Sequence, residues 1–381
     1  MATITLNSAK RANTRLFSLA AASIIATAST YAYYDSKSSK SPTPQWNKDN
    51  KTLFLSAAPL ALFTASTKKD HSEGDYQKVY NSIAKKIEEY DSYDEGIGFG
   101  PVLVRLAWHQ AGTYSKTEGA DGCPYHVKNE DGSQGVGGSF GGTMRLPKEA
   151  GDPANNGLQN ARWLLEDVKA KFPWISHGDL YTLSGVVAVQ EMGGPKIGWR
   201  SGREDLPAEY QQNSKLPDAS QGADYVRHLF GRMGLNDREV VSLIGAHALG
   251  SCHVVAPALP TDDDDDEEGE STGPGSGYTG RWTASPNMFT NEFFKLLLND
   301  KWEWKEWDGP KQYVNKDDLM MLPADMALIE DPKYKKIVQT YANDQDLYFK
   351  DFSKDFQKLL ELGIDFGQKK NFYFKTLDEQ S

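Results

Sequence analysis

Apolar residues in this chain recur three and four positions apart over long stretches and almost never alternate. That rhythm commits the chain to packed helices. In "DYQKVYNSIAKKIEEY" the spacing is carried by Val79, Ile83 and Ile87. "NNGLQNARWLLEDVKAKF" repeats it with Leu158, Trp163, Leu164, Leu165 and Val168 and stops at Pro173. "GDLYTLSGVVAVQEMGG" is expected to start behind Asp179 and end at Gly193-Gly194. "NDREVVSLIGAHALG" opens with Asn236 and has Glu239 three residues on, a capping signature, and is expected to run as one helix to Gly250. Near the end, Phe349, Phe352, Phe356, Leu359 and Leu360 form one stripe. Alternating strand patterns are scarce, so the fold class is mostly α. Two stretches break the rhythm. "GADGCPYHVKNEDGSQGVGG" reads as a surface loop. "PALPTDDDDDEEGESTGPGSG", residues 257–277, reads as a solvated acidic insertion.

The 381 residues suffice for a sizeable core of one large or two ordinary domains. The only cysteines are Cys123 and Cys252, which excludes a disulfide scaffold, and no C-x-x-C-H is present for covalent haem attachment. Net charge is −11, and without the first 67 residues it is about −16. An acidic body argues against a nucleic-acid partner and suits a basic protein partner, or plain solubility. The first 34 residues contain no acid, and Lys10, Arg11 and Arg15 precede a Ser/Ala-rich apolar run. This reads as a mitochondrial presequence, with residues 1–67 removed or linker, leaving no permanent membrane span in the mature form.

Chemistry-bearing residues sit inside these helices. Arg105, Trp108 and His109 lie at i, i+3 and i+4, so a guanidinium, an indole and an imidazole share one helix face. Desolvating them is costly unless they are paired or have chemistry to perform. His247 lies on the stripe of Val240, Leu243 and Ile244, where a satisfied core histidine is the ordinary alternative to a ligand. Taken together, the two histidines match the needs of a haem peroxide site: one imidazole to bind iron, another to move protons.

Six ordered stretches, "RLAWH", "GGTMRLPKE", "DPANNGLQNA", "GPKIGWRSGR", "GAHALGSCH" and "MMLPADMALIEDP", resemble the class I haem peroxidases, and the likeness runs from about residue 75 to 375. "TNEFFKLLLND" and "YANDQDLYFKDFSKDFQKLLELGI" are more similar to the mitochondrial cytochrome c-oxidising branch than to the ascorbate branch. The resemblance implies a two-domain helical haem peroxidase fold, residues 68–220 on the distal side and 221–381 on the proximal side, with one non-covalent haem b between them. It implies reduction of hydrogen peroxide to water with electrons from ferrocytochrome c, through a ferryl haem and a tryptophan radical, in a mitochondrial monomer of the intermembrane space or matrix. An ascorbate-type peroxidase and a haem-based peroxide sensor with little turnover are the alternatives.

Carried over residue by residue, the resemblance makes His109 the distal acid–base, Arg105 the stabiliser of developing negative charge, and Trp108 the cover over the haem. Asn155 would orient His109. His247 would be the axial iron ligand, Asp325 its carboxylate partner, and Trp282 the radical site. His253 matches a propionate partner. Ser251 stands where a basic residue is usual, and Thr279-Gly280-Arg281 replaces the usual Glu-Gly-Pro before Trp282. Arg281 would disfavour an oxidised indole unless it turns to solvent. Gly275 falls where ascorbate enzymes carry an arginine, and Ala248 and Thr290 replace their cation-site residues.

Overall fold

The computed structural model describes residues 70–116, 127–128, 134–135, 137–211, 215–260 and 270–381. The presequence, Cys123 and the acidic run at 262–268 lie outside the described residues. Helix α1 (Glu73–Glu89) starts from Ser72, whose hydroxyl accepts from the Asp75 amide while the Asp75 carboxylate accepts from the Ser72 amide. Helix α2 (Gly100–Ala111) carries the Arg105/Trp108/His109 face. It packs on α4 (His177–Glu191), with α3 (Leu158–Lys171) beside it.

Helix α4 is buried on all sides from Gly178 to Gln190, which explains why its sequence is apolar without a polar face. Its start differs from the sequence expectation. Ser176 is the cap, accepting from the Asp179 amide at 3.0 Å. Asp179 is free to pair with Arg203 at 3.0 Å in the buried interior and to accept from the Gly202 amide at 2.9 Å. The contact between α2 and α4 is close because Gly185 has no side chain. A Cβ there would lie 2.5 Å from the Ala107 Cβ. Gly185→Val is therefore expected to cost about 1–3 kcal/mol by overpacking, read as a lower urea midpoint. An unchanged midpoint would show that α2 can slide, and with it the site face.

In the second half, α5 (Ala223–Arg232) precedes α6 (Asp237–Ile244), which begins with the expected Asn236/Glu239 box. The expected single helix to Gly250 is corrected here. The α-helix ends at Ile244 and tightens into a 3-10 turn over Gly245–Ala248. A Cβ on Gly245 would meet Phe294 at 2.5 Å and the Tyr348 hydroxyl at 2.6 Å, so the turn is pressed against α7 (Glu292–Asn299) and α10 (Gln345–Glu361). Helices α8 (Pro323–Glu330) and α9 (Pro332–Asn343) lie between them in sequence. On α10 the buried stripe is Tyr348, Phe352, Phe356, Leu359 and Leu360, with Phe349 only partly buried.

Strand content among the described residues is slight. A two-residue ladder, β1 (Ser251–Cys252) with β2 (Gly280–Arg281), is antiparallel, pairing Ser251 with Arg281 and Cys252 with Gly280. The flanks of the acidic insertion run antiparallel, with bridges Val255–Pro274 and Ala258–Ser271. They are pinned to α3, where the Asn160 amide donates to the Pro257 carbonyl at 2.8 Å and the Thr272 hydroxyl to Asn160 Oδ1 at 2.7 Å. Residues Lys69–Ser381 form one compact unit.

Candidate active site

A cavity of about 330 Å³ opens between α2 and the segment following α6. Arg105 and Trp108 line one side of it, and His247 and Trp282 line it from the second half of the chain. The spacing read from sequence holds because α2 is regular through all three side chains. Trp108 is steadied by Phe230 of α5, stacked at 5.5 Å and 13°.

His109 is buried, and its Nδ1 lies 2.9 Å from Asn155 Oδ1. The Asn155 amide nitrogen donates to the Glu149 carbonyl at 2.8 Å, which turns Oδ1 toward the imidazole. An acceptor there puts the ring proton on Nδ1 and leaves Nε2 with its lone pair. Burial first, and the Arg105 charge second, hold the His109 pKa well below the ordinary imidazole value, against the opposing pull of Asn155. The ring is neutral at pH 7. Asn155 itself sits on the turn Pro153–Asn155, whose start is capped by Asp152.

Arg105 donates to two backbone carbonyls, Asn156 at 2.8 Å and Ala154 at 2.9 Å. It forms no ion pair with a described carboxylate. Desolvation lowers its pKa to about 10, so it stays cationic at neutral pH. A cation held by neutral dipoles alone is poised for negative charge arriving in the cavity.

On the opposite side, His247 Nδ1 is 2.8 Å from Asp325 Oδ1. Asp325 is fully buried at the start of α8, and its Oδ2 accepts from Trp282 Nε1 at 2.9 Å and from the Leu322 amide at 2.8 Å. Three N–H groups and a helix N-terminus compensate the buried carboxylate. Asp325 occupies the third helical position, reaching back to Leu322. The His247 and Trp282 rings stack at 4.5 Å and 15°. With Nδ1 engaged, the second nitrogen of His247 is free, and its side chain is 36% accessible while Asp325 is sealed. An interior imidazole with one nitrogen bonded to a carboxylate and the other facing a cavity is the donor arrangement of a haem-iron ligand. The residues present therefore fit a haem.

At the mouth, Ser251 and His253 both line the cavity. The Ser251 hydroxyl donates to the Cys252 carbonyl at 3.3 Å. His253 Nε2 lies 2.7 Å from Asp94, a residue the motif reading did not single out. Asp94 and Glu95 adopt φ of 56° and 57°, in the left-handed region, and no motif in the sequence marks Asp94. Cys252 also lines the cavity, and burial raises its thiol to about 12, so it is an inert neutral group. Arg281 is exposed, whereas its neighbour Trp282 is buried. Solvent therefore screens the Arg281 charge from the indole.

A mainly helical body whose cavity is lined by Arg105 and Trp108 of α2, beside the buried His109, and by His247 on its buried carboxylate defines a haem peroxidase. The sequence matches the family described as Peroxidase over residues 79–344, and the chain belongs to that family. It is similar to proteins named mitochondrial cytochrome c peroxidase: that of Yarrowia lipolytica is 51% identical over 315 residues, covering 82% of this chain and 80% of the relative. The protein of that name from Candida glabrata is 48% identical, covering 85% and 82%. The one from Cryptococcus neoformans is 43% identical, covering 95% and 85%.

Proposed function

We propose that this chain is a mitochondrial peroxidase that reduces hydrogen peroxide to water with electrons from ferrocytochrome c, using one non-covalent haem b. The observation that carries the reading is Asp325, which holds His247 with one oxygen and Trp282 with the other. A metal ligand and an oxidisable indole thereby share one buried negative charge. The haem, when bound, supplies the iron centre that accepts oxidising equivalents from peroxide.

The residues of the chain do the rest. His109 takes a proton from peroxide on Nε2 and returns it to the departing oxygen, so that water leaves. Asn155 keeps the lone pair on the correct nitrogen. Arg105 stabilises the negative charge that grows on the departing oxygen. Trp108 covers the cavity. His247 would bind the metal, its ring held in orientation by Asp325. Trp282 gives up an electron and holds the vacancy until a ferrocytochrome refills it. In this reading residues 68–220 supply the distal wall and 221–381 the proximal one.

The choice of electron donor is supported by Gly275. A Cβ there would lie 2.2 Å from the His253 carbonyl oxygen, so no arginine fits at that point without moving backbone. The acidic body suits a basic redox partner. The basic, acid-free N-terminal stretch and the names of the relatives support a mitochondrial address. Among the described residues no helix is long and apolar enough to cross a membrane.

Stopped-flow mixing of the haem-reconstituted protein with peroxide, then with each donor, tests the proposal. Two ferrocytochromes c are expected to be oxidised per peroxide, at a rate that falls as ionic strength rises. Efficient use of ascorbate with no oxidation of cytochrome c would refute the donor assignment.

A further inference from the structure

Ser251 and Arg281 are thirty residues apart in the chain and face each other across the β1–β2 ladder. Directly opposed residues of an antiparallel pair point to the same face, with Cβ atoms about 4.5–5.5 Å apart. Ser251 lines the cavity. The Arg281 side chain is exposed and makes no ion pair or hydrogen bond with the described residues. The other ionisable groups at that rim are engaged: His253 is on Asp94 at 2.7 Å, and Arg105 is held inside by two carbonyls.

A haem carries two propionates on one edge. Burying them unpaired is costly, so that edge belongs at the open mouth, where Ser251 lies. The short Ser251 side chain contributes a hydroxyl but no charge. We infer that Arg281 reaches across the ladder over Ser251 and pairs with a haem propionate, placing on β2 the cation that β1 lacks. The inference rests on the haem reading above. Its consequence is mechanical as well as electrostatic, because the strand that grips the cofactor edge is the one that delivers Trp282 to Asp325.

The test is haem release from the reconstituted protein to excess apomyoglobin, followed optically, for the wild type, Arg281→Gln and Arg281→Lys. Because Arg281 is exposed, neither substitution disturbs the core. Arg281→Gln is expected to release haem about 2- to 5-fold faster at low salt, the range of an exposed charge pair, with the difference closing at high salt. Arg281→Lys should stay near the wild type. Haemin dimethyl ester, which lacks the carboxylates, should leave the wild type and Arg281→Gln at the same rate. Equal haemin release from the wild type and Arg281→Gln would overturn the inference, as would equal acceleration for the ester. Failure of the apoprotein to bind haemin at all would instead strike the haem reading itself.

Discussion

His109→Leu is expected to slow the reaction with hydrogen peroxide by about 10²- to 10⁴-fold while leaving haem binding intact, because the proposed iron ligand, His247, belongs to a separate segment. Leucine fills the space but cannot take a proton from peroxide or return one. In the wild type, burial and Arg105 hold the imidazole pKa well below its usual value. The base form is therefore already populated as pH falls through about 6.5, where a free imidazole becomes protonated. The rate of the peroxide step should stay level through that region and decline only at lower pH. In His109→Leu that acid limb should vanish, since the group that titrates is gone. Stopped-flow rates across pH check both points. A variant within a few-fold of the wild type, or one that keeps the acid limb, would assign the proton transfer to another group.

Trp282→Phe should leave the peroxide step largely unchanged and lower the oxidation of ferrocytochrome c by about 100-fold, equivalent to roughly 2.7 kcal/mol of barrier. Phenylalanine is far harder to oxidise than indole and offers no N–H to Asp325. The carboxylate lowers the cost of a positive charge on Trp282 in two ways. Its full negative charge lies at hydrogen-bond distance, and its Oδ2 accepts the indole N–H at 2.9 Å. Arg281, the nearest new cation in the sequence, is exposed, so its charge is screened. Transient kinetics separates the two half-reactions. If cytochrome oxidation survived the substitution while peroxide reactivity was kept, electrons would reach the centre by a route that bypasses Trp282.

Much of the site is legible in the chain because some of it is local. Arg105, Trp108 and His109 need only one turn of helix to converge, and the spacing of Val102, Leu103, Val104, Leu106 and Ala107 shows that the helix exists. Asn236 and Glu239 cap α6 by contacts within four residues. These outcomes depend on 3.6-residue periodicity and on backbone groups that find partners nearby. Family motifs extended the reading to Asn155, His247, Asp325 and Trp282, but roles came with the motifs and distances did not.

Where chain-distant surfaces meet, local pattern carried no information. Local pattern predicts that helix α6 continues to Gly250. It stops at Ile244 and tightens into a 3-10 turn that carries His247, with Gly245 packed close to Phe294 and Tyr348. By its place in the sequence Asp179 reads as a helix start, yet it is a buried partner for Arg203. Asp94 reached His253 without any motif to announce it. The helical class, the shared face of Arg105, Trp108 and His109 and the acidic charge were decided by residue order, since neighbours within a turn settle them. The orientation of Asn155 by the Glu149 carbonyl, the joining of His247 to Trp282 through Asp325, and the pairing of Ser251 with Arg281 were decided only on folding. Each needs groups from separate segments to be desolvated together at hydrogen-bond or ladder distance, and no periodicity in a linear chain encodes that.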